Sequence, residues 1–571
     1  MQSKRQLDPD VLIVGAGPTG LLLACELLRH GLKVRIIDVG EGPPLCSKAQ
    51  FIQTRTLEIL EQMGIVERFL ALGRPLYGLS LYSPDMKRLF HFNIGEMDSR
   101  YPFTLSLPQN DTEQLLIKHL ADLGGHIECP VRFLGLTQTD DRVTVRMQRV
   151  QDDEDPEIDE IRAAWVVGCD GAHSAVRHCL GIDFCGNTYE QRIIQADVRI
   201  DWPLRHAEDE IIGFLSPRGP TMAVPLPGEQ RYRLLGFDTG LAPTLGSFQF
   251  LLDERSAAGA RVSDPVWMIE YAIHCRMAAQ FRIGRVFLAG DAAHTVNPVT
   301  SQGMNTGMQD AYNLAWKLSL VQKGLARPVL LGSYEAERMP VAAALLKAPD
   351  AVVQELGSLL ARYSQVAQGL RGSLLSFVAE MGLVERRTSR GLSMLELGYR
   401  NSPSVGQTEP QGEAGQSGSS SMRSLREWLH YGYGPAPGER APDVGVLSDG
   451  TRKDLRLFEL IGGTKHSLLL FPGVLSSDEG PAHLTDLGAQ ISHLYPGLIR
   501  TFLITIEGSP RHPSRSGWNG PALVDQGGLM HQIYGARTNS LYLIRPDGYV
   551  AFRSQPIDAG QFTAYLSKIF T

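Results

Sequence analysis

The sequence predicts an α/β protein with more than one core: a parallel nucleotide-type sheet, an antiparallel sheet inserted into it, and a second α/β unit towards the C-terminus. Three observations carry this. The 571 residues exceed the roughly 250–300 at which a single core stops growing, so two to four domains are expected. The chain opens with a strand, a glycine-rich turn, a helix and another strand, a unit short enough to demand parallel pairing through a right-handed crossover. Strand patterns also resume after a polar stretch that has almost nothing to bury.

Val11-Leu12-Ile13-Val14 is a short β-branched apolar run, and Gly15 to Gly20 forms the turn behind it. Leu21 to His30 reads as a helix ended by Gly31, and Lys33 to Asp38 as the second strand. Residues 76–106 and 188–280 carry short alternating runs such as Ile193 to Ile200 and Tyr232 to Phe237, divided by turns such as Pro225 to Gly228, which predicts an antiparallel sheet. Val286 to Gly290 returns to a buried parallel-type strand, and a helical pattern follows from about Gly303 to Lys323. The nucleotide domain is therefore discontinuous, over 8–75, 107–187 and 281–345, with the antiparallel sheet in between and a helical connection over 346–401. Ser402 to Ser421 has no aromatic residue, so 402–422 is expected to be a flexible linker. The last segment, 423–571, has strand patterns at Ser467–Phe471, Arg500–Ile506 and Ser540–Ile544, and a helix near Ala559–Phe570.

Composition narrows the function. Hydrophobic content of 43% and charged content of 20% are those of an ordinary globular chain. A formal net charge of -7 argues against nucleic acid as a partner, since that needs a basic face. No apolar run reaches the roughly 18–20 residues of a spanning helix; the best, from Val11 to Leu28, is broken by three glycines, Pro18 and Glu26. No signal peptide is legible before Asp10. The seven cysteines include no C-x-x-C pair, which reads as reduced, mostly buried thiols in a cytoplasmic protein. The histidines are scattered without metal-ligand spacing, so no metal site is expected.

Three motifs carry the chemistry. In Gly15-x-Gly17-x-x-Gly20 the first glycine permits the tight turn, the second lets backbone approach a pyrophosphate, and the third lets helix and strand pack closely. The helix N-terminus adds N–H groups and a positive dipole for phosphate. Asp38 lies 18 residues after Gly20 (38 − 20), where a carboxylate accepts hydrogen bonds from a ribose diol. An acid there suits an unphosphorylated ribose, FAD or NAD rather than NADP. The second motif runs from Val166 through Asp170-Gly171 and His173-Ser174 to Arg177; read blandly, it is a strand ending in an Asp-Gly turn. The third runs from Gly284 through Gly290-Asp291 and His294 to Asn297-Pro298 and Gln302-Gly303-Met304-Asn305, and a plain strand-turn-helix accounts for its apolar run but not for its density of Gly, Asp, His and Asn.

In this order and spacing the three motifs resemble the single-component flavoprotein aromatic hydroxylases, p-hydroxybenzoate hydroxylase- and phenol hydroxylase-like enzymes together with polyketide-tailoring hydroxylases, over roughly residues 10–400. The resemblance implies a Rossmann-like FAD-binding domain with the antiparallel substrate domain inserted. Gly15, Gly17 and Gly20 would hold the pyrophosphate of FAD and Asp38 its ribose. Gln109 matches a position near the flavin, and Arg55 a family arginine. Lys48 stands where many members have arginine, which keeps the charge and loses the bidentate fork. Asp170 matches the aspartate linked to both FAD and NAD(P)H, and Asp291 would bind the ribityl chain. Pro298, with Thr300 and Ser301, would form the loop beside the flavin where oxygen reacts, and the backbone from Gln302 through Gly303 and Met304 to Asn305 would border the ring. The family's Pro-x-Gly-Gly-Gln-Gly is here Pro298-Val299-Thr300-Ser301-Gln302-Gly303, with two glycines replaced by hydroxyl side chains.

The activity implied is NADPH- or NADH-dependent reduction of FAD, followed by transfer of one atom of molecular oxygen, through a flavin hydroperoxide, to an electron-rich aromatic. No second nucleotide fingerprint is present, which fits transient docking of NAD(P)H. Phe214, Met222, Phe237 and Trp267 are candidates to line a pocket for a phenolic or polycyclic, polyketide-type substrate, although aromatic residues in strands more often pack a core. A Baeyer–Villiger oxygenase, an epoxidase, an oxidase and a non-catalytic FAD scaffold use the same fold and stay open; the W-x-W-x-I-P of flavin halogenases is absent. Residues 423–571 resemble a thioredoxin-like domain without a single cysteine, which excludes dithiol chemistry and leaves a structural or assembly role compatible with a homodimer.

Overall fold

The computed structural model describes residues 8–42, 49–83, 85–94, 97–150, 158–202, 208–216, 219–237, 240–256, 259–297, 301–347, 391, 393–408, 431, 434–448, 453–473, 480–507, 518 and 520–571. The chain divides into two compact units, one of residues 1–60, 64–315 and 338–395, the other of 61–63, 316–337 and 396–571.

The first unit is built on a six-stranded sheet in the order Arg282–Ile283, Val286–Leu288, Trp165–Gly168, Val11–Val14, Val34–Ile37, Ile127–Glu128. Its last four pairings are parallel. Val11, Leu12 and Ile13 are wholly buried, because a parallel sheet is covered on both faces and tolerates no polar alternation. The helix Pro18–Arg29 starts three residues earlier than the apolar pattern suggests, since Pro18 at the first position already has the helical φ. It ends at His30, with Gly31 at φ +75°.

The inserted sheet has eight strands: His294–Thr295, Arg261–Ala278, Phe184–Asp201, Arg231–Phe237, Gly219–Pro225, Glu210–Ser216, Gly78–Tyr82 and Arg88–Asn93. The expectation of a purely antiparallel sheet needs correcting, because Gly78–Tyr82 pairs parallel with Glu210–Ser216. Thr104–Ser106, also assigned to this sheet from sequence, instead joins Phe51–Ile52 and Arg74–Leu76 in a separate small one. Helix Leu245–Arg255 covers one face, packing Phe248, Leu251 and Leu252 on Ile194, Ala196, Ile212, Phe214 and Leu234.

The second unit is a mixed eight-stranded sheet: Gly406–Gln407, Val550–Ser554, Ser540–Ile544, His466–Phe471, Ile499–Ile506, Ala522–Asp525, Gly445–Ser448, Asp454–Arg456. His466–Phe471 and Ile499–Ile506 are parallel neighbours joined through helix Gly480–Leu494, and helix Ala559–Ile569 follows the antiparallel pair Ser540–Ile544 and Val550–Ser554. Its C-terminal stretch starts at residue 396, not 423, and the unit also takes in 61–63 and 316–337. The expected linker is wrong over its first seven residues, because Ser402, Ser404 and Thr408 are buried and Gly406–Gln407 extends the sheet. The two serines satisfy a buried carboxylate: their hydroxyls donate to Glu337 Oε1 at 2.6 and 3.0 Å. Lys317 Nζ meets Glu337 Oε2 at 2.7 Å, and Arg545 reaches both oxygens at 2.7 and 3.0 Å. Residues 409–430, and the helical connection over 348–390, lie outside the described residues. The expectation of mostly buried thiols also shifts: Cys25, Cys169 and Cys275 are buried, Cys129 is half-buried, and Cys179 and Cys185 are exposed.

Glu337 balances two buried cations at once. Glu337→Gln should therefore lower stability by about 3–5 kcal/mol, the usual cost of removing one partner from a buried ion network. Chemical denaturation followed by circular dichroism checks this, and a loss below about 1 kcal/mol, the scale of a surface pair, would show the network to be energetically idle.

Candidate active site

The C-terminal ends of three neighbouring parallel strands converge, as ligand sites in open α/β sheets do. At the end of Val11–Val14, Gly15 turns with φ +106°, and a Cβ there would strike the Cys169 carbonyl. A Cβ on Gly20 would fall on the Gly15 carbonyl oxygen, so the helix can leave the strand this closely only with glycine at both places. Gly17 differs: it has ordinary φ, and nothing lies within 4 Å of its Cβ position. It caps helix Pro18–Arg29 without any side-chain hydrogen bond, so no capping side chain competes for the first-turn N–H groups. Asp38 closes the turn, its Oδ2 accepting from Ala16 N at 2.5 Å and its Oδ1 from Gly40 N at 2.7 Å. Each oxygen keeps acceptor capacity for a ribose. Gln109 opens helix Gln109–Asp122 and donates through Nε2 to Glu113 at 2.8 Å; burial, with Asp38 nearby, pushes the Glu113 pKa up.

Asp170 is largely buried, and burial raises its pKa against the Ser174 hydroxyl at 2.5 Å and the Val176 N–H at 3.1 Å. Its carboxylate thus caps the short helix Ala175–Cys179 as well as bordering the site. Arg177, which sequence reading left as the end of a motif, ties two motifs together: it donates to the carbonyls of Ala172 at 2.7 Å and Ala292 at 2.9 Å. The third motif closes on the first through Thr19, because Cβ atoms on Gly290 or Gly307 would collide with its hydroxyl. Asp291 lies exposed on the adjoining 3₁₀ turn.

Helix Gly303–Gln322 begins beside this junction. Gln302 Nε2 donates to the Gly391 carbonyl at 2.7 Å. Gly303 has Val296 against its Cβ position, and Met304 is half-buried. Asn305 is fully buried, Nδ2 donating to the Phe51 carbonyl at 2.8 Å and Oδ1 accepting from Gln53 N at 2.9 Å. Its side chain is thus committed to holding strand Phe51–Ile52. Ser301 has φ +52°, the left-handed conformation natural to the glycine it replaces. Pro298, Thr300 and Lys48 lie outside the described residues. Arg55 is buried and paired with Glu58 at 2.8 Å, one turn along its own helix.

The strand Phe51–Ile52 also marks the face of the inserted sheet that helix Leu245–Arg255 does not cover. Met222, Leu235 and Val224 pack with Phe51 there. Asp197, Arg233 and Trp267 stand opposite one another in the register of the same face. Arg233 is bidentate to Asp197 at 2.6 and 2.8 Å, donates to the Ala49 carbonyl at 3.0 Å, and lies 4.9 Å from the Trp267 ring centre. Tyr271 OH donates to Gln195 at 2.7 Å. Met222 and Trp267 therefore share this face. Phe214 does not, which corrects its assignment as a pocket residue: strand alternation sends it to the helix-covered side, wholly buried between Tyr82 and Trp202. The Phe237 side chain lies outside what is described.

Residues 8–348 match the family described as FAD binding domain. The chain belongs to that family. It is 34% identical to 6-methylpretetramide 4-monooxygenase of Streptomyces rimosus, over 98% of this chain and 93% of the relative. It is 31% identical to pentachlorophenol 4-monooxygenase of Sphingobium chlorophenolicum, over 96% and 94%. Among solved structures, the anhydrotetracycline hydroxylase of Streptomyces rimosus superposes with a TM-score of 0.70 at 28% identity, over 98% of this chain and 99% of that one. The chain is an FAD-dependent monooxygenase of the aromatic hydroxylase type. No helix among its described residues is long and apolar enough to cross a membrane.

The open space at Gly17 and the filled space at Gly20 separate cofactor binding from folding. Gly17→Ala should cost the apo-protein under about 1 kcal/mol, the scale on which alanine is a poorer N-cap than glycine, while weakening FAD binding. Gly20→Ala should destabilise the apo-protein itself by about 1–3 kcal/mol through overpacking. Thermal melts of the apo-proteins and fluorescence titrations with FAD check both; equal stability losses in the two variants would contradict the geometry.

Proposed function

We propose that this monooxygenase hydroxylates a neutral polycyclic phenol of polyketide type, with NAD(P)H as electron donor. The observation that carries the substrate class is the Arg233–Asp197 pair: the guanidinium on the uncovered face is already neutralised, so that face offers apolar area from Met222, Leu235 and Trp267 rather than a clamp for a small aromatic acid. The substrates named for two relatives, 6-methylpretetramide and pentachlorophenol, support an aromatic substrate without a carboxylate clamp. Gly15, Gly17 and Gly20 would hold the pyrophosphate of FAD, and Asp38 its ribose. Gln109, Arg55 and Lys48 would stand around it. Asp170 and Asp291 would border the nicotinamide approach and the ribityl chain. Pro298, Thr300, Ser301 and the backbone of Gln302, Gly303, Met304 and Asn305 would lie against the ring. Bound FAD supplies hydride acceptance and oxygen activation; the chain's own part is to orient the phenol and keep water out. The negative net charge supports a small-molecule partner over nucleic acid, and a cytoplasmic homodimer belongs to the same reading.

The purified enzyme should consume NADPH and oxygen faster when polycyclic phenols are added than with benzoates, and mass spectrometry should show a gain of one oxygen atom. Peroxide as the sole product with every phenol would favour an oxidase instead. Ser301 gives a sharper test. A non-glycine residue held at positive φ costs about 1–3 kcal/mol, so Ser301→Gly relieves strain but loosens the loop. The variant should retain FAD, melt no lower than wild type, and release more peroxide per NADPH oxidised. Undiminished coupling would show the serine side chain to be incidental.

A further inference from the structure

Asp310 lies on helix Gly303–Gln322 and is fully buried. Its Oδ2 accepts from the Gly290 N–H at 3.0 Å and from His294 Nε2 at 2.6 Å, while Oδ1 accepts from Arg338 Nε at 2.6 Å. Arg338 in turn donates to the Thr306 carbonyl at 3.2 Å. Burial works to raise the Asp310 pKa, but Arg338 and His294 outweigh it and hold the carboxyl below its usual range, so it is ionised at neutral pH. An ionised carboxylate only accepts, so His294 carries its proton on Nε2. The three donors come from three different segments: the turn before Asp291, the short strand His294–Thr295, and the chain at 338. The turn has little room to move otherwise, with Gly290 at φ +62° and Thr19 filling its Cβ position.

We infer that Asp310 is a positioning residue for the cofactor: one anionic post that fixes the Gly290–Asp291 turn against the helix that starts at Gly303. It thereby sets the spacing between the two segments assigned to the ribityl chain and to the ring, and so rests on the placement of FAD given above. Apolar packing of equal volume serves stability as well as a buried ion pair does. What the carboxylate adds is direction, since three N–H vectors must converge on two oxygens.

Asp310→Asn tests this, because its amide turns an N–H towards at least one of the three donors. The expected result is a folded apo-protein whose Kd for FAD, from fluorescence titration, rises about tenfold or more, on the scale of one charge-assisted hydrogen bond. The rise in melting temperature that FAD confers should shrink with it. A merely structural role would lower the apo and holo melting temperatures equally and leave Kd unchanged, and that result overturns the inference. If Asp310→Asn yields no folded protein, Arg338→Lys and His294→Gln decide by the same two readouts. A raised Kd in either supports the post, and a Kd within about twofold of wild type in both removes it. Gly17→Val, measured in parallel, isolates the underlying placement of FAD. If that variant binds FAD normally, the placement itself is wrong; if it loses FAD while Asp310→Asn does not, only the inference about Asp310 falls.

Discussion

The candidate site depends on close approach of backbone to backbone. Gly15 lies so near the Cys169 carbonyl, and Gly20 so near Gly15, that no Cβ fits between them, and Gly307 comes almost as near to Gly290. Each crossing brings the start of a helix up to the end of a strand: Pro18–Arg29 to Val11–Val14, and Gly303–Gln322 to Val286–Leu288. Thr19 links the two, because its hydroxyl side chain fills the space that side chains at Gly290 and Gly307 would need. The result brings the first turns of two helices together at Thr19, with partial positive charge at both N-termini. An anionic, extended cofactor suits that field, and the sheet behind it supplies rigidity because its strands are buried on both faces.

This part of the molecule was legible in the sequence because the constraint is local. A glycine that permits a close approach announces itself by spacing from its neighbours, and Asp38 follows at a distance set by one helix and one strand. The residues that sequence reading missed act over long separations. Arg177 bridges to Ala292 across 115 positions, and Arg338 reaches Asp310 across 28. Nothing in the pattern around Arg338 distinguishes a buried guanidinium from a solvated one. The linker error has the same origin. Serines at 402 and 404 look unable to bury anything, and they are buried because Glu337 needs donors.

Strand periodicity had a different limit. It shows that Phe214 and Met222 belong to a half-buried sheet, but not which face the covering helix takes, because both faces carry apolar residues. The deciding facts lie elsewhere in the chain. Helix Leu245–Arg255 claims one face, and strand Phe51–Ile52 marks the other. Phe51 packs on Met222 and Leu235 through its side chain and accepts from Asn305 through its carbonyl. A single residue therefore fixes the inserted sheet against the start of helix Gly303–Gln322.

That connection gives the replaced glycines a physical meaning. Asn305 also donates to the Ser301 carbonyl at 3.3 Å, so the loop is tied at its end to the same side chain that holds Phe51. Ser301 keeps the left-handed backbone of a glycine although it carries a side chain. The surrounding hydrogen bonds must over-determine that conformation, since the residue alone prefers another. A loop built this way does not need glycine to reach its shape, only enough ties to hold it there. The sequence change therefore places a hydroxyl side chain at Ser301 on a backbone that keeps the left-handed conformation of glycine.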